Sequence, residues 1–159
     1  MIDDTDAQIL TILQKDARTS NAAIAREVGM APSAVLERIK KLQTKGVIAG
    51  YEARLSPKTI GLDLLAFVSV ETDEVGGDMD TGQRLAGLPE VQEVHHICGE
   101  DCYLIKVRVK SAEALGDLLR TKVGSIEGVR RTRSTIVMNT LLEGGRLPLD
   151  QALDGDTDD

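Results

Sequence analysis

Apolar side chains recur at helical spacing in three successive stretches before Gly46. In the first stretch Thr5 stands three residues before Gln8, a spacing that fits an N-terminal capping box. Ser20 or Asn21 can cap the second stretch, and the third begins at Pro32, a residue favoured in the first turn of a helix. The pattern therefore predicts three helices with these buried positions: Ile9, Leu10, Ile12, Leu13, Ile24, Ala25, Val28, Val35, Ile39 and Leu42.

The period becomes strand-like after the third helix. Between Val47 and Leu55 every second residue is apolar, which predicts a half-buried strand. Pro57 then interrupts the pattern, because proline cannot continue a central strand. We therefore expect an N-terminal domain over residues 1–55 and a linker over residues 56–62.

Strand-like and helical stretches alternate through residues 63–140. The order β-α-β-β-α-β is typical of a ferredoxin-like domain, an α+β sandwich with two helices on one face of a sheet. The strands are predicted over residues 64–70, 91–97, 103–109 and 129–138, and the helices over residues 82–87 and 112–123. Apolar residues also reach the other sheet face, which we expect a partner subunit to cover: Leu65, Phe67, Ile97, Leu104 and Ile136. Residues 141–159 form an acidic tail whose end we expect to be disordered.

The composition removes several classes of protein. Only three residues are aromatic, so a base-stacking surface for single-stranded nucleic acid is not expected. The chain has no run of about 18 apolar residues and starts with the acidic segment MIDDTDAQIL, so we expect a cytoplasmic protein without a membrane span or secretory signal. Two cysteines and two histidines suffice for neither a disulfide framework nor a rich metal site. No catalytic motif is present at a suitable spacing, so we expect neither an enzyme nor a cofactor.

The net charge of −7 hides an asymmetry along the chain. Residues 1–60 carry nine lysines and arginines against seven acidic residues, whereas residues 61–159 carry ten against nineteen. The first part of the chain is therefore a basic module attached to an acidic body, and this pattern is compatible with a nucleic-acid partner for the module.

The second and third predicted helices have the spacing of a helix-turn-helix. Ala25 would let the helices approach closely, Gly29 would take the positive φ of the turn, and Val35 would hold the third helix against the core. Such a motif presents the start of its second helix to base edges and flanking basic residues to phosphates. The base-edge candidates are Ser33, Ala34, Glu37 and Arg38, and the phosphate candidates are Lys40, Lys41, Lys45 and Arg18. A helical hairpin with a solvated basic face is the alternative interpretation.

The chain resembles the Lrp/AsnC family of bacterial and archaeal regulators over about residues 3–140. In the first half the resemblance runs through QKDAR, REVG, VLERIKKL and GVIAGYEARL, and in the second through PEVQEVHHICGEDCYLIKVRV and VRRTRSTIVMNT. It implies a winged-type helix-turn-helix domain linked to a βαββαβ ferredoxin-like sensor domain. It also implies dimers formed through the sensor sheets, often assembled into octamers, with amino acids as effectors.

The resemblance implies an effector pocket between sensor domains, built by the glycine loop that joins the second and third strands. In this loop Gly99 would allow close backbone approach, so that N–H groups bind a carboxylate while an acidic side chain attracts an ammonium group. The family usually has an acidic residue where this chain has Cys102, and a tight turn with a solvated acidic rim is the alternative. The candidate effector-binding residues are His96, Ile97, Gly99, Glu100, Asp101, Cys102, Tyr103, Thr132, Ser134 and Thr135.

Other polar residues near the loop favour structural interpretations. Cys98 and Cys102 flank the turn, so a redox switch is one hypothesis, but two small buried or half-buried side chains are the favoured one. His95 and His96 would point to opposite faces of a strand, so they would not share a metal ion. The arginines of the last strand are expected to pair with acidic neighbours rather than to form a second DNA surface.

These features predict a sequence-specific DNA-binding transcriptional regulator whose oligomeric state or DNA binding responds to an amino acid or a related small metabolite. Its partners would be a double-stranded operator with two half-sites, the effector, and further copies of the chain in a dimer or octamer. The alternative is an effector-independent, nucleoid-like architectural DNA-binding protein.

Overall fold

The computed structural model describes residues 2–73, 80–99 and 102–149. These residues fall into two compact units, one built from residues 2–54 and 142–149 and the other from the described part of residues 55–141. Each unit has its own hydrophobic core. No helix in the described ranges is long and apolar enough to cross a membrane. The disorder expected at the end of the acidic tail concerns residues 150–159, which lie outside the described residues.

Three helices form the N-terminal unit. Gly29 ends the second helix in the left-handed conformation, with φ of 70°, and Pro32 opens the third, as the sequence predicts. The helices are α1 (Asp4–Lys15), α2 (Asn21–Val28) and α3 (Pro32–Thr44). Their core is aliphatic and comprises Ile9, Ile24, Ala25, Val35 and Ile39.

The first helix begins with a different cap from the predicted one. The Asp6 backbone N–H donates to Asp3 Oδ1 at 2.8 Å, and the Asp3 N–H donates back to Asp6 Oδ2 at 3.4 Å. This capping box uses Asp3 and Asp6, so the prediction of Thr5 and Gln8 is wrong. Both pairs have the same spacing, but Asp3 lies just outside the first helical residue, where its short carboxylate reaches the free N–H groups.

The half-buried strand predicted from Val47 to Leu55 is absent, because no described segment of the chain pairs with these residues. Tyr51 is 47% exposed and Leu55 is 69% exposed. The described residues 2–63 therefore contain helices and no strand, and the wing expected beside the helix-turn-helix is not formed within one chain. Alternating apolar residues define a strand only when a second strand satisfies their backbone groups.

The C-terminal unit is a four-stranded antiparallel sheet with helices, in the predicted order β-α-β-β-α-β. The strand order β2-β3-β1-β4 places the first and third strands at the centre of the sheet. The elements are β1 (Leu64–Thr72), α4 (Asp80–Ala86), β2 (Val91–His96), β3 (Tyr103–Val109), α5 (Ala112–Leu118), which continues as a π-helical turn (Leu119–Val123), and β4 (Val129–Ile136).

One face of this sheet packs on the helices. Its central residues are fully buried, and they include Ala66, Val68, Val70, Tyr103, Ile105 and Val107. Ile136 pairs with Ala66 and therefore lies on this same face, which corrects its predicted place on the opposite one. Phe67 and Leu104 do lie on the opposite face, as predicted, because they alternate with the buried residues along their strands.

Residues 142–149 pack against the N-terminal unit and are called the C-terminal strap below. The Gln14 side-chain amide donates to the Leu147 carbonyl at 3.2 Å, and the Leu147 N–H donates to Gln14 Oε1 at 2.7 Å. The Arg54 guanidinium donates to the Glu143 carbonyl. These contacts fasten the strap to α1 and to the segment that follows α3.

Candidate DNA-binding and ligand-binding sites

The turn between α2 and α3 has the geometry of a helix-turn-helix. The Met30 N–H donates to the Ala25 carbonyl at 2.9 Å, directly after the left-handed Gly29. Ala25 is 2% exposed, and Val35 is completely buried. The three positions singled out in the sequence therefore have their predicted structural roles.

The polar side of α3 lies at the surface. Ser33 and Glu37 are exposed and Ala34 is half-buried, so the first turns of the helix are accessible. Ala31 makes no side-chain cap, in agreement with its weak capping ability. Lys40 pairs with Glu37 at 3.2 Å on a strongly exposed surface. The other phosphate candidates, Lys41, Lys45 and Arg18, are exposed as well.

Arg38 has two acidic partners that its position on α3 does not predict. Its Nη1 atom lies 2.6 Å from Asp3 Oδ2 and 2.8 Å from Asp6 Oδ1. The Asp6 backbone N–H and then the Arg38 guanidinium lower the pKa of the Asp3 carboxyl. Asp3 and then Asp6 raise the pKa of Arg38 above its ordinary value. The signal available in the sequence was the acidic pair itself, which is followed by an apolar helix.

The loop between β2 and β3 joins two paired strand ends. The Ile97 N–H donates to the Cys102 carbonyl at 2.9 Å, which continues the hairpin beyond the strands. Gly99 has φ of 125°, a conformation that favours glycine, and a Cβ atom there would meet no other atom within 4 Å. The loop backbone is therefore open to an approaching molecule at Gly99. Glu100 and Asp101 lie outside the described residues.

Tyr103 is part of the core rather than of the surface. It is 1% exposed, and its ring centroid lies 5.2 Å from that of His96, whose side chain is on the same sheet face. A Cβ atom on Gly82 would come within 2.7 Å of the Tyr103 ring. The tyrosine thus packs its ring tightly under α4 while its backbone borders the candidate ligand loop.

The three candidate hydroxyl groups of β4 do not converge with this loop in one chain. Thr132 pairs with Val70, which in turn pairs with Tyr103. Two strand spacings, about 10 Å in total, therefore separate the backbones of Thr132 and Tyr103. Ser134 shares the helix-packed face with Thr132. Thr135 pairs with Phe67 and lies on the opposite face.

The remaining polar residues of this unit have structural surroundings. Both cysteines are free, with Cys102 half-buried as expected and Cys98 exposed, unlike the favoured interpretation. Within residues 2–73, 80–99 and 102–149, no group of three or more metal-ligating side chains could hold an ion. Arg130 pairs with Asp73 at 2.9 Å, and Arg131 with Glu71 at 3.2 Å, so the predicted ion pairing is confirmed for these two arginines.

A helix-turn-helix unit with an exposed basic helix, joined in one chain to a ferredoxin-like domain, defines a two-domain DNA-binding regulator. The family model described as "AsnC-type helix-turn-helix domain" matches residues 2–43. The model described as "Lrp/AsnC ligand binding domain" matches residues 65–147. The chain therefore belongs to the Lrp/AsnC family, as its sequence motifs predict.

Relatives along the whole chain agree with this assignment. The HTH-type transcriptional regulator FL11 of Pyrococcus furiosus is 36% identical over 149 residues, which cover 94% of this chain and 97% of the relative. The crystal structure of a transcriptional regulator from Neisseria meningitidis in complex with L-methionine is 29% identical, with a TM-score of 0.89 and coverage of 96% and 99%. A feast or famine regulatory protein from M. tuberculosis, complexed with L-methionine, is 36% identical, with a TM-score of 0.84 and coverage of 90% and 96%. The chain is thus a helix-turn-helix transcriptional regulator, and its family is one of regulators and not of enzymes.

Proposed function

We propose that this chain is a cytoplasmic, homo-oligomeric regulator that binds an operator through α3 and changes its DNA binding when an amino acid occupies the C-terminal unit. The observation that carries the proposal is the exposed basic surface of α3, held on a buried helix-turn-helix core. The ligand part is supported by the two relatives whose structures contain L-methionine.

The DNA surface consists of the first turns of α3 and the lysines that follow them. Ser33, Ala34 and Glu37 are the candidates for base edges, and Lys40, Lys41, Lys45 and Arg18 are the candidates for phosphates. An α-helix fits the major groove, and exposed ammonium groups beside it neutralise phosphates at low desolvation cost. We expect two such helices, from two copies of the chain, to bind half-sites about one helical turn apart.

The proposed ligand site is centred on the Gly99 loop. Open backbone near Gly99 can donate to a carboxylate, and the neighbouring Glu100 or Asp101 can attract an ammonium group, which together suit a free amino acid. His96, Ile97, Cys102 and the backbone of Tyr103 would border the pocket. Because Thr132, Ser134 and Thr135 are distant within one chain, they would join the pocket only from another copy.

Assembly into dimers, and of dimers into octamers, is part of this proposal. Phe67 is 36% exposed on the sheet face that lacks the helices, which supports contact with a second copy there. The segment from Val47 to Leu55 has no strand partner among the described residues of its own chain. A second copy would satisfy the backbone groups of this segment.

The phosphate role of Lys41 gives a direct test of the DNA surface. The Lys41→Ala variant should bind all duplex sequences more weakly, and the slope of log affinity against log salt should become less steep by about one unit, because one fewer phosphate is neutralised. Affinity is measured by fluorescence anisotropy across a salt series. Lys110→Ala, an exposed lysine of the C-terminal unit, is the matched control and should change neither quantity. Equal slopes for the wild type and Lys41→Ala would remove this residue from the interface.

A further inference from the structure

We infer that Arg38 is a positioning residue, which fixes α3 against the start of α1, and not a residue that reads a base. This inference rests on the proposed DNA-binding function and changes the role expected for Arg38 from sequence. Its basis is the pair of contacts from the Arg38 guanidinium to the two carboxylates that cap α1.

The four carboxylate oxygens of Asp3 and Asp6 form a closed network. One oxygen of each residue accepts a backbone N–H of the capping box, at 2.8 Å for Asp3 Oδ1 and 3.4 Å for Asp6 Oδ2. The other oxygen of each accepts from Arg38 Nη1, at 2.6 Å and 2.8 Å. The same side chains therefore cap α1 and bind α3, so the helix start and the DNA-facing helix are fastened at one point.

The charge of this cluster opposes a role in DNA contact. Two carboxylates surround one guanidinium, so the cluster carries a net negative charge and has no attraction for phosphates. Both N–H groups of Nη1 are used by carboxylates, so the Nη1–Nη2 edge of the guanidinium has no free pair of donors for a bidentate contact with guanine. The side chain of Arg38 is also only 30% exposed, and that of Asp6 only 14%. Reading a base through Nη1 would require these ion pairs to break.

The position of Arg38 on α3 explains what the ion pairs do. It lies one residue after Glu37 and one before the buried Ile39, between the candidate base-edge surface and the core. Fixing this point against α1 limits rotation of α3 about its axis and thereby sets the direction in which Ser33 and Glu37 point. Without the contact, α3 must be ordered in each binding event, and the orientation that it takes when bound is the same. Binding should therefore weaken on the whole operator, with the preference at each base pair unchanged.

The experiment measures the full-length chain on a duplex selected from a random-sequence pool and on all single-base variants of that duplex. Arg38→Ala should lower affinity about tenfold on every variant, with unchanged relative affinities and an unchanged salt slope, since Arg38 neutralises no phosphate. Arg38→Lys should recover part of the affinity, because an ammonium group can still bind one carboxylate.

The double variant Asp3→Asn with Asp6→Asn separates positioning from charge. Asparagine still caps a helix, so α1 remains capped while the ion pairs are lost. Removal of two negative charges would by itself strengthen DNA binding, whereas the positioning role predicts a loss similar to that of Arg38→Ala. Asp4→Asn is the matched control, since Asp4 is exposed in the same turn and does not contact Arg38. It should bind as tightly as the wild type or slightly more tightly.

Two other results have distinct meanings. If Arg38→Ala abolishes the preference at one base pair while the double variant binds normally, Arg38 reads a base and the inference is wrong. If the wild type itself selects no sequence from the pool, the proposed sequence-specific function fails. In that case the double variant should bind any duplex more tightly than the wild type, because only the removal of two negative charges acts. Thermal unfolding of each variant establishes that it is folded.

Discussion

Replacing Gly82 with valine is expected to lower the free energy of unfolding of the C-terminal unit by roughly 2–3 kcal/mol. Gly82 lies in α4 directly over the ring of Tyr103, and a Cβ atom there would approach the ring to 2.7 Å. Tyr103 cannot withdraw, because it is 1% exposed within the core. The branched side chain must therefore displace either the helix or the tyrosine.

Gly116 provides a control position for adding a side chain to a helical glycine. It also lies within a helix, α5, but a Cβ atom there would meet nothing within 4 Å. Gly116→Ala should therefore raise the free energy of unfolding by about 0.5–1 kcal/mol, the usual gain in a helix interior. Urea denaturation followed by circular dichroism measures both variants. An unchanged or higher stability for Gly82→Val would show that α4 does not press on Tyr103 in solution.

Replacing Gly99 with glutamine should abolish the response to the effector, with a loss of affinity of roughly tenfold or more. At φ of 125° a side chain strains the backbone, and the glutamine would also occupy the open space beside the loop. A ligand that binds only the folded protein raises its melting temperature with dose, so thermal shift against the twenty amino acids detects the response.

The control for Gly99→Gln is Gly61→Gln. Gly61 also has a positive φ, of 75°, and also has open space around it, but it lies in the turn before β1. This variant shares the backbone strain and should keep the thermal shift. A ligand response that survives in Gly99→Gln with unchanged affinity would place the effector site away from this loop. No response from the wild-type protein to any amino acid would favour the effector-independent architectural function.

Local sequence signals were sufficient for most of the fold. Gly29 and Pro32 mark the two ends of the turn because their backbone preferences act within one residue. The order of strands and helices in the C-terminal unit follows from the spacing of apolar residues and from the length of each apolar segment. Both are local features of the sequence. The burial of Ala25 and Val35 is predictable for a similar reason, because it follows from the helical spacing of apolar residues, which is also a local signal.

The errors concern contacts between distant parts of the chain. The predicted strand from Val47 to Leu55 depends on a pairing partner that the described residues of one chain do not supply. The helical position of Arg38 predicts a base-edge contact, but its partners, Asp3 and Asp6, are more than 30 residues earlier. The prediction for Ile136 is wrong because the face of an edge strand depends on its register, and the register depends on pairing with β1.

The candidate ligand site was predictable only in part. The glycine loop follows from the family resemblance, and the positive φ of Gly99 agrees with its proposed role. The β4 hydroxyl groups came from the family resemblance, and a single chain keeps them two strands away from the loop. The contribution of these hydroxyl groups depends on how copies of the chain assemble. The alternation of apolar residues and the amino-acid composition do not determine that assembly.

The central claim, that an amino acid controls DNA binding by this chain, is tested most directly by one comparison of affinities. The affinity of the wild-type protein for its selected duplex is measured at constant salt, without ligand and with a saturating amino acid from the thermal-shift screen, starting with L-methionine. Coupling between the two sites of about 1–3 kcal/mol predicts a change of about 5- to 150-fold, absent in Gly99→Gln. An identical affinity with and without a bound amino acid would contradict the claim.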